Sequence, residues 1–299
     1  MTIDPILVTG ASGQVGGAFA KLAASRGYDV CLPGRDRLDL TNPDSMEDFI
    51  GSNQWSYVVN CAAYTAVDQA ETDPEQAFAT NAKAPGALAA LTARLGIPII
   101  HLSTDYVFDG AKANAYTESD PIAPLGIYGA SKAEGEARIR RANPDHAILR
   151  TAWVLSAGGK NFLTTMLRLG VGRDNIAVVS DQFGCPTGAD DLAEVILKVI
   201  MQSAATGKTW HAVNGGSTSW HGLAEQIFAC AADAGYNAPF ISSITTEQYP
   251  TPAKRPENSR LSTDKIQAEL GIKLRPWKDA VNAIVAEYMQ REETSKCED

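Results

Sequence analysis

The chain has 299 residues and a formal net charge of −9, from 26 Lys and Arg against 35 Asp and Glu. That length can bury one large core or two smaller ones, and 20% charged against 44% hydrophobic residues excludes a disordered chain. The acidic balance argues against nucleic acid or an anionic membrane surface as partner, and no apolar run reaches the ~18 residues of a membrane span.

Met1–Pro5 lacks the basic flank of a signal peptide, so none is expected. The five cysteines (Cys31, Cys61, Cys185, Cys230, Cys297) are scattered without a CxxC pair, which predicts reduced thiols in a cytoplasmic protein. The four histidines (His101, His146, His211, His221) show no ligand-like spacing, so no metal ligand is expected and each reads as a packed or surface residue.

Strand-like runs alternate with helix-like stretches. Ile6–Val8 is a short buried-strand signal, followed by a Gly-rich turn and an amphipathic stretch to about Arg26. Asp29–Leu32 is the second strand. Asn42 before Pro43 predicts a capped helix over Pro43–Ile50. Tyr57–Asn60 is the third strand. Asp73-Pro74 opens a long Ala/Leu-rich helix that Gly96 and Pro98 close. Ile97–Leu102 and Ala147–Arg150 are the fourth and fifth strands, with helix Gly129–Arg141 between them. Continuous apolar strands alternating with helices predict an α/β fold, a doubly wound parallel Rossmann sheet with a smaller substrate-binding region.

Beyond residue 155 the pattern loosens. Ile176–Val179 is strand-like, Ala189–Met201 helical, and Trp210–Asn214 resembles another sheet strand. Ser219–Ala234 and Trp277–Gln290 are amphipathic helices. Residues 1–157 and 188–214 are therefore expected to form the dinucleotide-binding unit, and 158–187 with 215–290 the substrate unit. Residues 291–299 form a charged tail, expected to fray.

Gly10, Gly13 and Gly16 form GxxGxxG between the first strand and its helix. Glycines there let the backbone approach a pyrophosphate whose charge sits at the helix N-terminus; a plain strand-to-helix turn is the alternative. After the second strand the run Cys31–Asp36 has no acidic residue to meet a ribose 2′-hydroxyl, while Arg35 is placed to accommodate a 2′-phosphate. This favours NADPH over NADH, with Arg35 as a solvated surface charge the alternative. Asp39 and Leu40 are placed to meet the adenine edge. Ala62 and Ala63 would line the cofactor path with small side chains.

Tyr128 and Lys132 form YxxxK at a predicted helix start, where i,i+4 spacing puts both on one face. A lysine ammonium beside the phenol is expected to lower its pKa from ~10, so that the tyrosine exchanges a proton with a carbonyl oxygen. The fourth strand is expected to end just before Ser103-Thr104-Asp105, where a hydroxyl can reach the same carbonyl; turn and capping chemistry is the alternative.

On the Gly-rich loop, Ser103–Gly110 (STDYVFDG) and Tyr128–Lys132 (YGASK), the chain resembles the extended short-chain dehydrogenases/reductases, and more narrowly the dTDP-4-dehydrorhamnose reductases. Asn60–Asp68, Arg150–Val154, Asp181–Gly188 and Pro252–Pro256 extend the resemblance over nearly the whole chain. It implies reduction of the C4 ketone of a dTDP-4-dehydro-L-rhamnose substrate by NADPH or NADH. It also implies roles. Tyr128 is the proton donor and Lys132 its partner at the nicotinamide ribose. Thr104 bonds the keto oxygen, Asp105 contacts substrate, and Trp153 packs on the sugar. Gly13, Gln14, Val15, Asp39, Leu40, Ala63, Tyr64 and Thr65 match cofactor-contacting positions. Arg255, in a Pro-framed loop with Lys254, is expected to meet the sugar-nucleotide pyrophosphate. Some members are homodimers that hold Mg²⁺ with glutamates of both subunits. Ala18 and the short Asp190 depart from that pattern, which argues against the metal-dependent homodimer, so no Mg²⁺ ligand is assigned and a homodimer stays open.

Two other functions share this frame. One is a sugar-nucleotide epimerase or dehydratase, against which the segments around Thr104 and Asp181 argue. The other is a reductase-like regulatory subunit of the methionine adenosyltransferase partner type, against which intact Tyr128 and Lys132 argue.

Overall fold

The structure is a computed structural model that describes residues 4–298, with side chains described as far as residue 292. Its centre is a parallel six-stranded sheet. Five strands come in chain order: β1 (Ile6–Thr9), β2 (Val30–Cys31), β3 (Tyr57–Asn60), β4 (Ile99–Thr104) and β5 (His146–Thr151). The sixth, Lys208–His211, closes the order as β2-β1-β3-β4-β5-Lys208–His211. All pairs are parallel, with Ile6 opposite both Val30 and Tyr57, and Ile99 opposite His146.

Alternation along each strand feeds two cores. Ile6 and Val8 of β1 face Phe19, Leu192 and Ile196, on helices Gln14–Ser25 and Ala189–Met201. Leu7 between them faces Met46, Ile50 and Leu88 on the opposite side. Burial on both faces explains why these strands are continuous apolar runs. A third core lies apart from the sheet, built from Leu163, Leu167, Ile176, Val178, Leu223, Phe228, Trp277 and Val281. It includes a parallel pair, Asn175–Val179 with Phe240–Ile244, whose second strand the sequence pattern does not signal.

Four expectations change. β4 starts after Pro98, which has no N–H to give a ladder, and its last residues are Ser103 and Thr104, so both belong to the strand itself. The long helix after Asp73 is Pro74–Phe78, a π-helical turn Ala79–Lys83, and Ala84–Arg94. Pro85 cannot donate to the Asn81 carbonyl, which explains the break. The helix that carries Tyr128 and Lys132 starts earlier than expected and spans Ile127–Ala142. The charged tail does not fray at 291: helix Trp277–Glu298 runs through it, with Arg291 paired to Glu287 at 2.6 Å one turn back. Residue 299 lies outside the described residues. Among the described residues, no helix is long and apolar enough to cross a membrane.

Candidate active site

The strand order doubles back between β1 and β3, and at such a switch point the loops after the two strands diverge to leave a crevice. Gly10 turns there with φ 69°, and a Cβ on it would lie 2.6 Å from the Ala62 nitrogen. A Cβ on Gly16 would overlap the Gly10 carbonyl oxygen. Helix Gln14–Ser25 therefore begins directly against this turn. Its cap residue, Gly13, brings no side chain to the first N–H groups, which are left to an anion. Val15 is buried below, against the sheet.

Around this cradle, Ala62 N–H donates to Asn60 Oδ1 at 3.2 Å. Asn81 clamps Tyr64 from both sides, accepting its N–H at 2.8 Å and donating to its carbonyl at 3.0 Å. Asn81 also donates to Ser131 Oγ at 3.0 Å, which ties this loop to helix Ile127–Ala142. The Tyr64 hydroxyl is buried with no hydrogen-bond partner, and Thr65 is exposed. Past β2, the Arg35 side chain is 75% exposed, with Nε 3.8 Å from Asp39 Oδ1. Hydrogen bonds from the Thr41 hydroxyl and N–H hold the Asp39 carboxyl below its usual range. Leu40 leans on the Leu7 core. Arg35, Asp39 and Leu40 thus lie together, apart from Tyr128 and Lys132.

Thr104 ends β4 and Asp105 follows it, while Tyr128 and Lys132 stand on the first turns of Ile127–Ala142. The Thr104 hydroxyl stands beside the Tyr128 phenol and donates to Asp105 Oδ1 at 2.9 Å. Tyr106 packs edge-on against Tyr128, ring centroids 5.8 Å apart. The expected lowering of the Tyr128 pKa does not occur. Burial pushes it up to about 12, helped by the Asp105 carboxylate and opposed by the Thr104 hydroxyl. Lys132 is instead turned beneath the site, its Nζ 2.6 Å from the Leu102 carbonyl and 3.2 Å from His101 Nε2, and burial pushes it down to about 8. Burial also pushes Asp105 up to about 6 against its bonds to Ser259 and Thr104, and its Oδ2 has no hydrogen-bond partner.

Arg255 reaches the same cleft from the Pro-framed loop. It donates to Asp68 Oδ2 at 2.8 Å, and Asp68 Oδ1 accepts Ala253 N–H at 3.2 Å. Val67, Glu71, Tyr106, Tyr128, Ala253 and Lys254 line a small cleft beside it. Trp153, just past β5, has φ 46° and lies flat on Trp220, centroids 3.4 Å apart. Gln14, first residue of the phosphate-loop helix, spans to the third core. Its Oε1 accepts from Ser156 at 2.7 Å and Asn161 at 3.0 Å, and its Nε2 donates to the Val154 carbonyl at 3.4 Å. Asn161 in turn caps helix Phe162–Gly170.

Sequence reasoning missed the supports below this surface. His101 reads there as an ordinary packed histidine, yet it is fully buried between Asn60 and Lys132. The signal was available: a histidine inside the apolar run Ile99–Leu102 needs polar partners once buried. Glu136 and Arg150 form a buried bidentate pair at 2.9 and 2.8 Å, and Ser103 donates to Glu136 at 2.5 Å. Among the described residues, no group of three or more His, Cys, Asp or Glu side chains is placed to hold a metal ion.

The family model described as RmlD substrate binding domain matches residues 4–290. A dTDP-4-dehydrorhamnose reductase of Burkholderia thailandensis is 43% identical, over 96% of this chain and 99% of its own. The crystal structure of a dTDP-4-dehydrorhamnose reductase from Clostridium acetobutylicum superposes with a TM-score of 0.91 at 37% identity, over 95% of this chain and 99% of that one. The Bacillus anthracis dTDP-4-dehydrorhamnose reductase in complex with NADP gives 0.91 at 32% identity, with the same 95% and 99% coverage.

Proposed function

The chain belongs to the RmlD substrate binding domain family, and we propose that it reduces the C4 ketone of dTDP-4-dehydro-L-rhamnose to give dTDP-L-rhamnose, with NADPH as the reductant. The observation that carries this reading is the state of Tyr128. Reduction of a ketone needs an acid that keeps its proton until the oxygen gains charge. A phenol that burial pushes up to about 12, beside the Thr104 hydroxyl, keeps its proton at neutral pH and is such an acid.

The glycine cradle and the uncapped N-terminus of Gln14–Ser25 suit a dinucleotide pyrophosphate. NADPH, when bound, supplies the hydride. Gly10, Gly13, Gln14, Val15 and Gly16 would hold its pyrophosphate, and Arg35 its 2′-phosphate, with NADH as the alternative coenzyme. Asp39 and Leu40 would meet the adenine side, and Ala62, Ala63, Tyr64 and Thr65 the path to the ring. Lys132 would donate to the nicotinamide ribose.

Thr104 and Tyr128 would bond the keto oxygen, and Tyr128 would pass it a proton as the oxygen becomes an alkoxide. Asp105 and Trp153 would hold the sugar and Arg255 the substrate pyrophosphate. Residues 1–157 and 188–214 would carry the cofactor, and 158–187 with 215–290 the substrate, a division supported by the separate third core. The unpaired Cys31, Cys61, Cys185 and Cys230 suit a reducing, cytoplasmic setting.

The test is a coupled assay with dTDP-glucose, the upstream dehydratase and epimerase, and NADPH or NADH. One coenzyme oxidised per dTDP-L-rhamnose formed is the expected result. Product without net coenzyme consumption would indicate an epimerase, and no turnover at all a regulatory subunit.

A further inference from the structure

Below the catalytic face runs a line of buried polar side chains that the reduction does not use: Thr9, Asn60 and His101, leading to Lys132. Asn60 Oδ1 receives the Thr9 hydroxyl at 2.7 Å and the Ala62 backbone N–H at 3.2 Å. A backbone N–H can only donate, so it fixes which end of the Asn60 amide is the oxygen. That leaves Asn60 Nδ2, also only a donor, 3.0 Å from His101 Nδ1. Nδ1 must therefore be the acceptor, and a neutral imidazole then carries its proton on Nε2. Nε2 lies 3.2 Å from Lys132 Nζ. An ammonium has no lone pair to accept that proton, whereas an amine has one.

We propose that Asn60 and His101 are positioning residues that hold the resting Lys132 as a neutral amine, accepting from His101 Nε2–H and donating to the Leu102 carbonyl.

The surroundings agree. His101 is buried, and desolvation holds it well below its ordinary range, which disfavours an imidazolium. Burial already brings Lys132 down to about 8, and an N–H aimed at it works in the same direction. The charged and titratable groups facing Lys132 are Glu136 on its own helix and Cys61 after β3. Glu136 is engaged by Arg150, Arg140 and Ser103. Burial pushes the Cys61 thiol up to about 12, so it brings no charge at neutral pH. An uncharged Lys132 also leaves Tyr128 with its proton, which is what a reductase needs at the start of a cycle. The kinetic consequence rests on the reductase reading; the tautomer does not.

The test is ¹⁵N NMR of the full chain with labelled histidine and lysine. The His101 signal is the one lost in His101→Gln or moved in Asn60→Asp, so failure of one variant to fold leaves the other. The expected wild-type result is a His101 protonated on Nε2 alone and unchanged from about pH 5.5 to 8.5. In Asn60→Asp a carboxylate faces Nδ1, so the proton should move to Nδ1, Nε2 should become an acceptor, and Lys132 should titrate at least one pH unit higher. The alkaline limb of coenzyme-dependent reduction should shift by the same amount. A wild-type His101 protonated on Nδ1, or on both nitrogens, would overturn the proposal even in a fully active reductase. The expected tautomer in an enzyme with no reductase activity would uphold it and sink the functional reading instead.

Discussion

Arg255 and Asp68, 187 positions apart in sequence, meet at 2.8 Å across the mouth of the candidate site. Asp68 belongs to the short helix Val67–Ala70 that follows β3, and Arg255 to the Pro-framed loop of residues 250–256. Ala253, Lys254 and Pro256 of the second loop line one cleft with Tyr128. The planar fork of a guanidinium suits a pyrophosphate oxygen. Arg255→Ala should therefore raise the sugar-nucleotide KM well over tenfold with coenzyme affinity little changed. Steady-state kinetics with each substrate varied in turn makes the check, and a sugar-nucleotide KM within twofold of wild type would place the pyrophosphate elsewhere.

Tyr128→Phe keeps the ring against Tyr106 and removes the proton. A general acid contributes typically ~10²–10⁴-fold, so kcat should fall by that order while coenzyme still binds in a fluorescence titration. Near wild-type turnover would remove Tyr128 from the mechanism.

Arg35 is exposed and only loosely paired with Asp39 at 3.8 Å, so replacing it disturbs little else. If it meets a 2′-phosphate, Arg35→Ala should weaken NADPH by about 10–150-fold, the worth of one charge-assisted contact. NADH binding should barely change. Equal losses for both coenzymes would show that the residue acts on the loop instead.

The raised Asp105 pKa has a sign that can be followed in stability. The folded state holds this proton to about pH 6 and the unfolded state only to about its ordinary 3.8. The ionised carboxylate is thus a penalty that is absent well below pH 4 and full well above pH 6. At ~1.4 kcal/mol per pH unit this amounts to about 3 kcal/mol. Asp105→Asn removes the titration, so its stability relative to wild type should improve by about that much between pH 3 and pH 8. Urea unfolding at the two pH values measures it, and a difference independent of pH would show that Asp105 is charged at no cost. The variant should at the same time lose sugar-nucleotide affinity.

The central sheet was legible because the middle of a parallel strand buried on both faces must be apolar, as Ile6–Val8 and Val58-Val59 are. Asn42 could be read as a cap from its place before Pro43, and it does accept the N–H groups of Asp44 and Ser45. The strand Phe240–Ile244 was not legible. It is half exposed, carries two serines, and is defined by a partner 65 residues earlier, Asn175–Val179. The juxtaposition of Thr104 with Tyr128 follows from β4 and the next helix lying side by side. The direction in which Lys132 points does not, since the i,i+4 rule places it on Tyr128's face but leaves its long side chain free to choose the Leu102 carbonyl. Burial then decided the pKa values, and burial is the quantity a motif does not report.

The span made by Gln14 has a thermodynamic meaning. One residue opens the helix whose N–H groups await a pyrophosphate, and its amide also fastens Asn161, the cap of helix Phe162–Gly170. A ligand that shifts this residue at one end must strain or relax the cap at the other. Affinities linked in this way are reciprocal. Whatever factor a bound coenzyme contributes to the grip on the sugar nucleotide, the sugar nucleotide returns to the coenzyme, and the order in which the two arrive changes the path but not the final free energy.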